Sequence, residues 1–142
     1  MEFEYELTIK EHHLDSFGHV NNATYLALYE EARWDFIEKN NYGLKTILEK
    51  KKGPVLLEVN LKFKRELINR EPIKIVTDNQ WMKGKIMGLR QRMINKEGKV
   101  CSEAEFTIGF MDLKLRKLIV PPTDWLNACG LEPLNWNKKA TY

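Results

Sequence analysis

The feature that most constrains the fold is one long helix followed by a run of strands. From about Ala23 to Lys39, the residues Tyr25, Leu28, Tyr29, Ala32 and Phe36 fall on one stripe at helical spacing. Leu26 and Ile37 widen that stripe, while Glu31, Asp35 and Glu38 lie opposite it. An apolar arc this broad needs cover from more than one direction, so the sheet made by the rest of the chain has to wrap around it. Arg33 falls inside the arc, where an unpaired charge is costly. Glu30, three residues back, is placed to pair with it.

Alternation of apolar and polar residues marks the strands. Phe3, Tyr5, Leu7 and Ile9 alternate with Glu2, Glu4, Glu6, Thr8 and Lys10 ahead of the helix. After Gly43, a short second helix is expected over Leu44 to Lys52, and Gly53-Pro54 breaks it. Val55, Leu57, Val59, Leu61 and Phe63 then alternate with Leu56, Glu58, Asn60, Lys62 and Lys64, giving a strand over 55–63. Further strands are expected over Ile73 to Trp81, Ile86 to Ile94 and Val100 to Met111, the last two joined by the turn Asn95-Lys96-Glu97-Gly98. Thr123 is placed to cap a short helix through Ala128, and the polar last dozen residues read as loose. The expected class is α+β, an antiparallel five-stranded sheet around one long central helix. A single domain spans 1–142, with its core in about 1–112 and a short helix and tail in 113–142.

Composition narrows the field by exclusion. A chain of 142 residues can bury a sufficient core without disulfide or metal. Cys101 and Cys129 lack metal-ligand spacing, so reduced thiols, a cytoplasmic location, no metal and no cofactor are expected. His12 and His13 read as surface residues at a strand end. The N-terminal strand is unlike a signal peptide, and no apolar run approaches membrane-spanning length. The net charge of +3 comes from basic residues spread along the chain. Charge spread in this way does not indicate nucleic acid and suits a small anionic ligand better, and with no spanning segment no membrane partner is expected.

The chemistry concentrates in Asp15-Ser16-Phe17-Gly18-His19-Val20-Asn21-Asn22, directly before the helix. Asn21 or Asn22 is a good N-cap. A helix start presents unpaired N–H groups and the positive end of a dipole, a place to hold developing negative charge. Asp15 beside it is a candidate base or nucleophile, although loop aspartates most often serve as turn residues. His19 fits a structural hydrogen bond as well as substrate positioning or proton transfer.

The Asp15–Arg33 stretch and the order of elements resemble the hotdog-fold thioesterases, above all the hydroxybenzoyl-CoA thioesterase type and its bacterial acyl-CoA thioesterase relatives. Asp15, Gly18, Asn22, Tyr25-Leu26 and Glu30-Glu31-Ala32-Arg33 carry that likeness. The run Gly18-His19-Val20-Asn21-Asn22 with Tyr25 is also similar to acyl-ACP thioesterases, which place an asparagine where this chain has Phe17.

The resemblance implies hydrolysis of an acyl-CoA or acyl-ACP thioester to a free acid and a thiol. Asp15 would act as nucleophile or general base, and the backbone N–H at Asn22 would polarise the carbonyl, with His19 beside them. Gly18 and Tyr25 would contact substrate, and Arg90 and Arg92 are candidates for the phosphates of coenzyme A. Glu30 is the reserve catalytic carboxylate, because some hotdog thioesterases carry theirs on this helix. The resemblance also implies a homodimer or homotetramer paired edge to edge through strand 55–63. A non-catalytic acyl-thioester-binding module, a hotdog hydratase or dehydratase, and a purely structural dimer are the alternatives. Phe17, Tyr25, Tyr29 and Trp81 are the bulky residues that would shape an acyl pocket.

Overall fold

The computed structural model describes residues 2–131, and the loose tail expected for the last dozen residues lies outside them. β1 (Glu2–Thr8) precedes α1 (Asn22–Lys39) and α2 (Leu44–Lys50). β2 (Lys52–Phe63), β3 (Pro72–Lys83), β4 (Ile86–Asn95) and β5 (Val100–Asp112) follow, then β6 (Lys117–Leu118) and α3 (Thr123–Ala128). The sheet is antiparallel in the order β1-β3-β4-β5-β2. β6 was not anticipated; it pairs with the far end of β5 through Met111↔Leu118 and Asp112↔Lys117.

α1 lies against one face of the sheet. Its buried residues are Tyr25, Leu28, Tyr29, Ala32, Phe36 and Ile37. Leu26, expected to widen the stripe, is exposed instead. Phe3 of β1 stacks on Phe36 at 4.3 Å, and Phe106 of β5 meets Tyr29 edge-on at 6.0 Å. These contacts come from distant strands, which is how a curled sheet satisfies a broad apolar arc.

Polar groups also tie helix to sheet. Gln91 Nε2 donates to the Tyr29 carbonyl at 3.0 Å and to Thr77 Oγ1 at 2.9 Å, and the Tyr29 hydroxyl donates to Ser102 Oγ at 2.9 Å. Each is buried, so each bond offsets a desolvation penalty and fixes the height of α1 over the sheet.

Four readings change. α2 ends at Lys50, and Gly53-Pro54 lie inside β2, paired with Met111 and Phe110, where they were expected to separate helix from strand. The 55–63 alternation puts Val55 through Phe63 on one face, but a bulge at Leu57 divides them. A Cβ at Gly109 would meet Leu57 Cδ1 at 3.2 Å and Val55 Cγ1 at 3.4 Å, so these two lie on the outer face. Val59 pairs with Phe106 and faces the helix. The core also passes beyond residue 112, because Trp125, Leu126, Ala128 and Cys129 are all buried. Trp125 packs against Tyr42 and Phe110 at 5.4 Å each. Thr123 is the first helical residue of α3 rather than its cap, which is Pro122.

Candidate active site

The loop before α1 folds back on itself. Leu14 and Val20 form an isolated antiparallel bridge, and the Asp15 N–H donates to the His19 carbonyl at 2.7 Å. Gly18 sits at φ +80°, a conformation that favours glycine, and its N–H closes the turn on the Asp15 carbonyl at 3.1 Å. Asp15 Oδ1 accepts the N–H groups of Phe17 at 2.9 Å and His19 at 3.2 Å. The turn-forming role of Asp15 is thus real, and it occupies one carboxylate oxygen. Among the described residues no donor engages the other oxygen, Oδ2. His19 Nε2 lies 2.9 Å from Glu66 Oε1, both side chains being exposed.

The helix start is built as the sequence suggests. Asn21 is the N-cap, its side chain accepting the Ala23 N–H at 2.9 Å while its carbonyl accepts that of Thr24 at 2.9 Å. The Asn22 N–H is taken by no acceptor among the described residues. The first turn of α1 carries no acidic residue, so the positive end of the helix dipole is not neutralised there. An open depression of about 420 Å³ lies at this point, lined by His19, Val20, Asn22, Tyr25, Phe63, Lys64, Arg65, Glu66 and Leu67. Tyr25 is buried and meets Phe63 edge-on at 4.9 Å, forming its apolar wall.

A second cavity, about 230 Å³, lies further along α1 between helix and sheet. Arg33, Phe36, Leu56, Leu89, Ile108 and Trp125 line it, with Glu30 at its rim. The expected Glu30–Arg33 ion pair does not form. Arg33 Nη1 donates to Gln91 Oε1 at 2.9 Å, and its guanidinium lies 4.4 Å over the Phe106 ring. Burial pulls its pKa down to about 10, opposed by the charge of Glu30 nearby. Glu30 itself accepts from Trp34 Nε1 at 3.3 Å.

The structure therefore brings His19, Asn22 and Tyr25 together, with Asp15 and Gly18 in the adjoining turn. Arg90 and Arg92 are elsewhere. Gln91 faces α1, so its neighbours point to the outer face of the sheet, where Arg90 pairs with Asp78 at 3.1 Å and Arg92 with Glu2 at 3.2 Å. Phe17 is 83% exposed, Tyr29 is bound to Ser102 in the core, and Trp81 lies over Gly88 on the outer face. None of these three lines the depression. Glu66 is the residue that sequence reasoning missed, and Arg65 beside it also lines the depression. Both follow β2, and only the approach of β2 to α1 reveals them.

A half-barrel of antiparallel strands around one helix, with an open N–H at the helix start beside an Asp–Gly–His turn, defines a hotdog thioesterase-like protein. The sequence pattern of the thioesterase-like superfamily matches residues 9–129, and the chain belongs to that family. It is 31% identical over 115 residues to the long-chain acyl-CoA thioesterase FadM of Escherichia coli (strain K12), covering 80% of this chain and 86% of that protein. The acyl-CoA thioester hydrolase YbgC of Escherichia coli O157:H7 is 24% identical over 108 residues, covering 75% and 81%. Among solved structures, YbaW, a probable thioesterase from Escherichia coli, superposes with a TM-score of 0.79 at 28% identity, covering 89% of this chain and 95% of that one.

Proposed function

We propose that the protein hydrolyses acyl-CoA thioesters to a free carboxylic acid and coenzyme A. The observation that carries this reading is the free Asn22 N–H at the start of α1, in a depression shared with His19 and adjoining the Asp15 turn. The thioester carbonyl oxygen accepts this N–H, which stabilises the negative charge of the tetrahedral intermediate. Asp15 Oδ2 either takes a proton from the attacking water or attacks the carbonyl carbon itself, forming an anhydride that water then opens. The C–S bond breaks, and the thiolate leaves and is protonated. His19, held by Glu66, borders the reacting group. Arg65 at the rim has no ion-pair partner among the described residues and suits the phosphates of coenzyme A better than the paired Arg90 and Arg92.

The active unit on this reading is a dimer joined through the free edge of β2. Support comes from three exposed apolar residues on that edge strand, Leu56, Leu57 and Phe63, which would otherwise invite aggregation. The buried, free cysteines suit a cytoplasmic protein. Relatives named for acyl-CoA chemistry favour hydrolysis over hydration or passive binding.

The test is thiol release from short, long and aromatic acyl-CoAs, with acyl-ACP as the further thioester. Asp15→Asn retains an oxygen to accept the Phe17 and His19 N–H groups and removes the charge. Activity is expected to fall about 10²- to 10⁴-fold in a folded variant. Wild-type rates in Asp15→Asn would move catalysis to Glu30, and inactivity of the wild type on every thioester would leave a binding module.

A further inference from the structure

The end of the sheet remote from the Asn22 depression carries a concentration of charge with no assigned use. Tyr25 meets Phe63 at the close of β2, whereas the Tyr42 hydroxyl donates to the Lys52 carbonyl at 3.2 Å at its start. The 18 residues of α1 separate these two ends by about 27 Å. At the remote end β2 begins, β3 turns into β4, and β5 turns into β6. Ile86 of β4 pairs with Gly109, and Lys117 of β6 pairs with Asp112 on the same β5 strand, so the two turns lie side by side. The Leu113 N–H donates to the Lys51 carbonyl at 2.8 Å and brings in the start of β2.

Antiparallel topology thus gathers Lys51 and Lys52, Lys83 and Lys85, and Lys114, Arg116 and Lys117 at one end. All of them are exposed. None takes part in an ion pair among the described residues, although Arg70, Lys74, Arg90 and Arg92 elsewhere do. The carboxylates at this end are already engaged or few. Asp112 Oδ1 accepts the N–H groups of Lys114 and Leu115, Asp124 is paired with Lys50, and Glu49 lies on α2. Within the β5–β6 turn, Leu115 is 62% exposed and Leu113 37%, interleaved with Lys114 and Arg116.

We propose that this end docks on an anionic lipid surface, with Leu113 and Leu115 entering the headgroup boundary. A nucleotide phosphate site gathers its donors into a concavity. Here the cations stand on projecting turns with apolar side chains between them, which suits a flat, negatively charged and partly apolar partner. Within one protomer this end lies about one helix length from the Asn22 depression. The expectation that no membrane takes part rested on the lack of a spanning segment; peripheral binding needs none.

The test is co-sedimentation of the full chain with vesicles of phosphatidylcholine alone and of phosphatidylcholine with phosphatidylglycerol. The wild type is expected to bind the anionic vesicles at least tenfold more strongly and to be released by high salt. The triple variant Lys114→Gln, Arg116→Gln, Lys117→Gln is expected to lose that binding, and Leu115→Ser to weaken it several-fold. Both variants should retain the wild-type melting temperature. Equal pelleting with both vesicle types, or no loss in the triple variant, would overturn the proposal. So would full competition by free coenzyme A, which would make this end a nucleotide site instead. Vesicle binding is read without any hydrolysis assay, so its failure is separate from failure of the thioesterase reading.

Discussion

Replacing Asn22 by proline isolates the group on which the proposed chemistry depends. Asn22 is the first helical residue of α1, the position where proline is tolerated because its missing N–H has no helical partner. The residue before a proline must be extended, and Asn21 already sits at φ −62° and ψ 141°. The cap bond from the Ala23 N–H to the Asn21 side chain does not involve the replaced group. Stability should therefore be unchanged or rise by about 0.4–1 kcal/mol through loss of unfolded-state freedom. Loss of one oxyanion donor raises the barrier by about 3–4 kcal/mol, a fall of 10²- to 10³-fold in kcat. Asn22→Ala keeps the N–H and removes only the exposed carboxamide, so its kcat should stay within a few-fold of wild type. The assay is steady-state thiol release, with a thermal melt on each variant. Wild-type kcat in a folded Asn22→Pro variant would refute the backbone donor. Equal losses in both variants would transfer the role to the side chain.

Two predictions concern the scaffold. The hydrogen bond from Lys64 holds the Glu103 carboxyl below its ordinary value of 4.5. Ionised Glu103 therefore contributes stability above pH 4.5 that is lost as the pH falls through its lowered folded pKa. Urea midpoints measured between pH 6 and 3 should fall less steeply in Lys64→Gln than in wild type, and identical slopes would exclude the linkage. In Gly88→Ala the new Cβ would stand 2.0 Å from Trp81 Nε1, so the indole must move off the strand. A destabilisation of about 1–3 kcal/mol is expected in urea unfolding, and an unchanged midpoint would mean that the ring is not packed there.

Local patterns were sufficient wherever one segment decides its own conformation. The Asn21 cap, the extent of α1 and the strands from residue 55 onward follow from neighbours in sequence, because capping and alternation act over a few residues. The loop ahead of α1 was legible for the same reason, since Asp15, Gly18, His19 and Asn22 lie within one turn and helix start. What crosses between segments was not. The bulge at Leu57 moves Val55 and Leu57 to the outer face, an offset that depends on the pairing of β2 with β5. Arg33 bonds to Gln91, 58 residues away, and its neighbour Glu30 does not take it, because the sheet meets α1 from that side. His19 meets Glu66, and the basic turns converge at one end, only once β2 to β6 are laid side by side. Periodicity says which side of an element is apolar; it carries no information on which distant element that side will meet. That choice belongs to the packed sheet and helix, and with it the walls of the depression around Asn22.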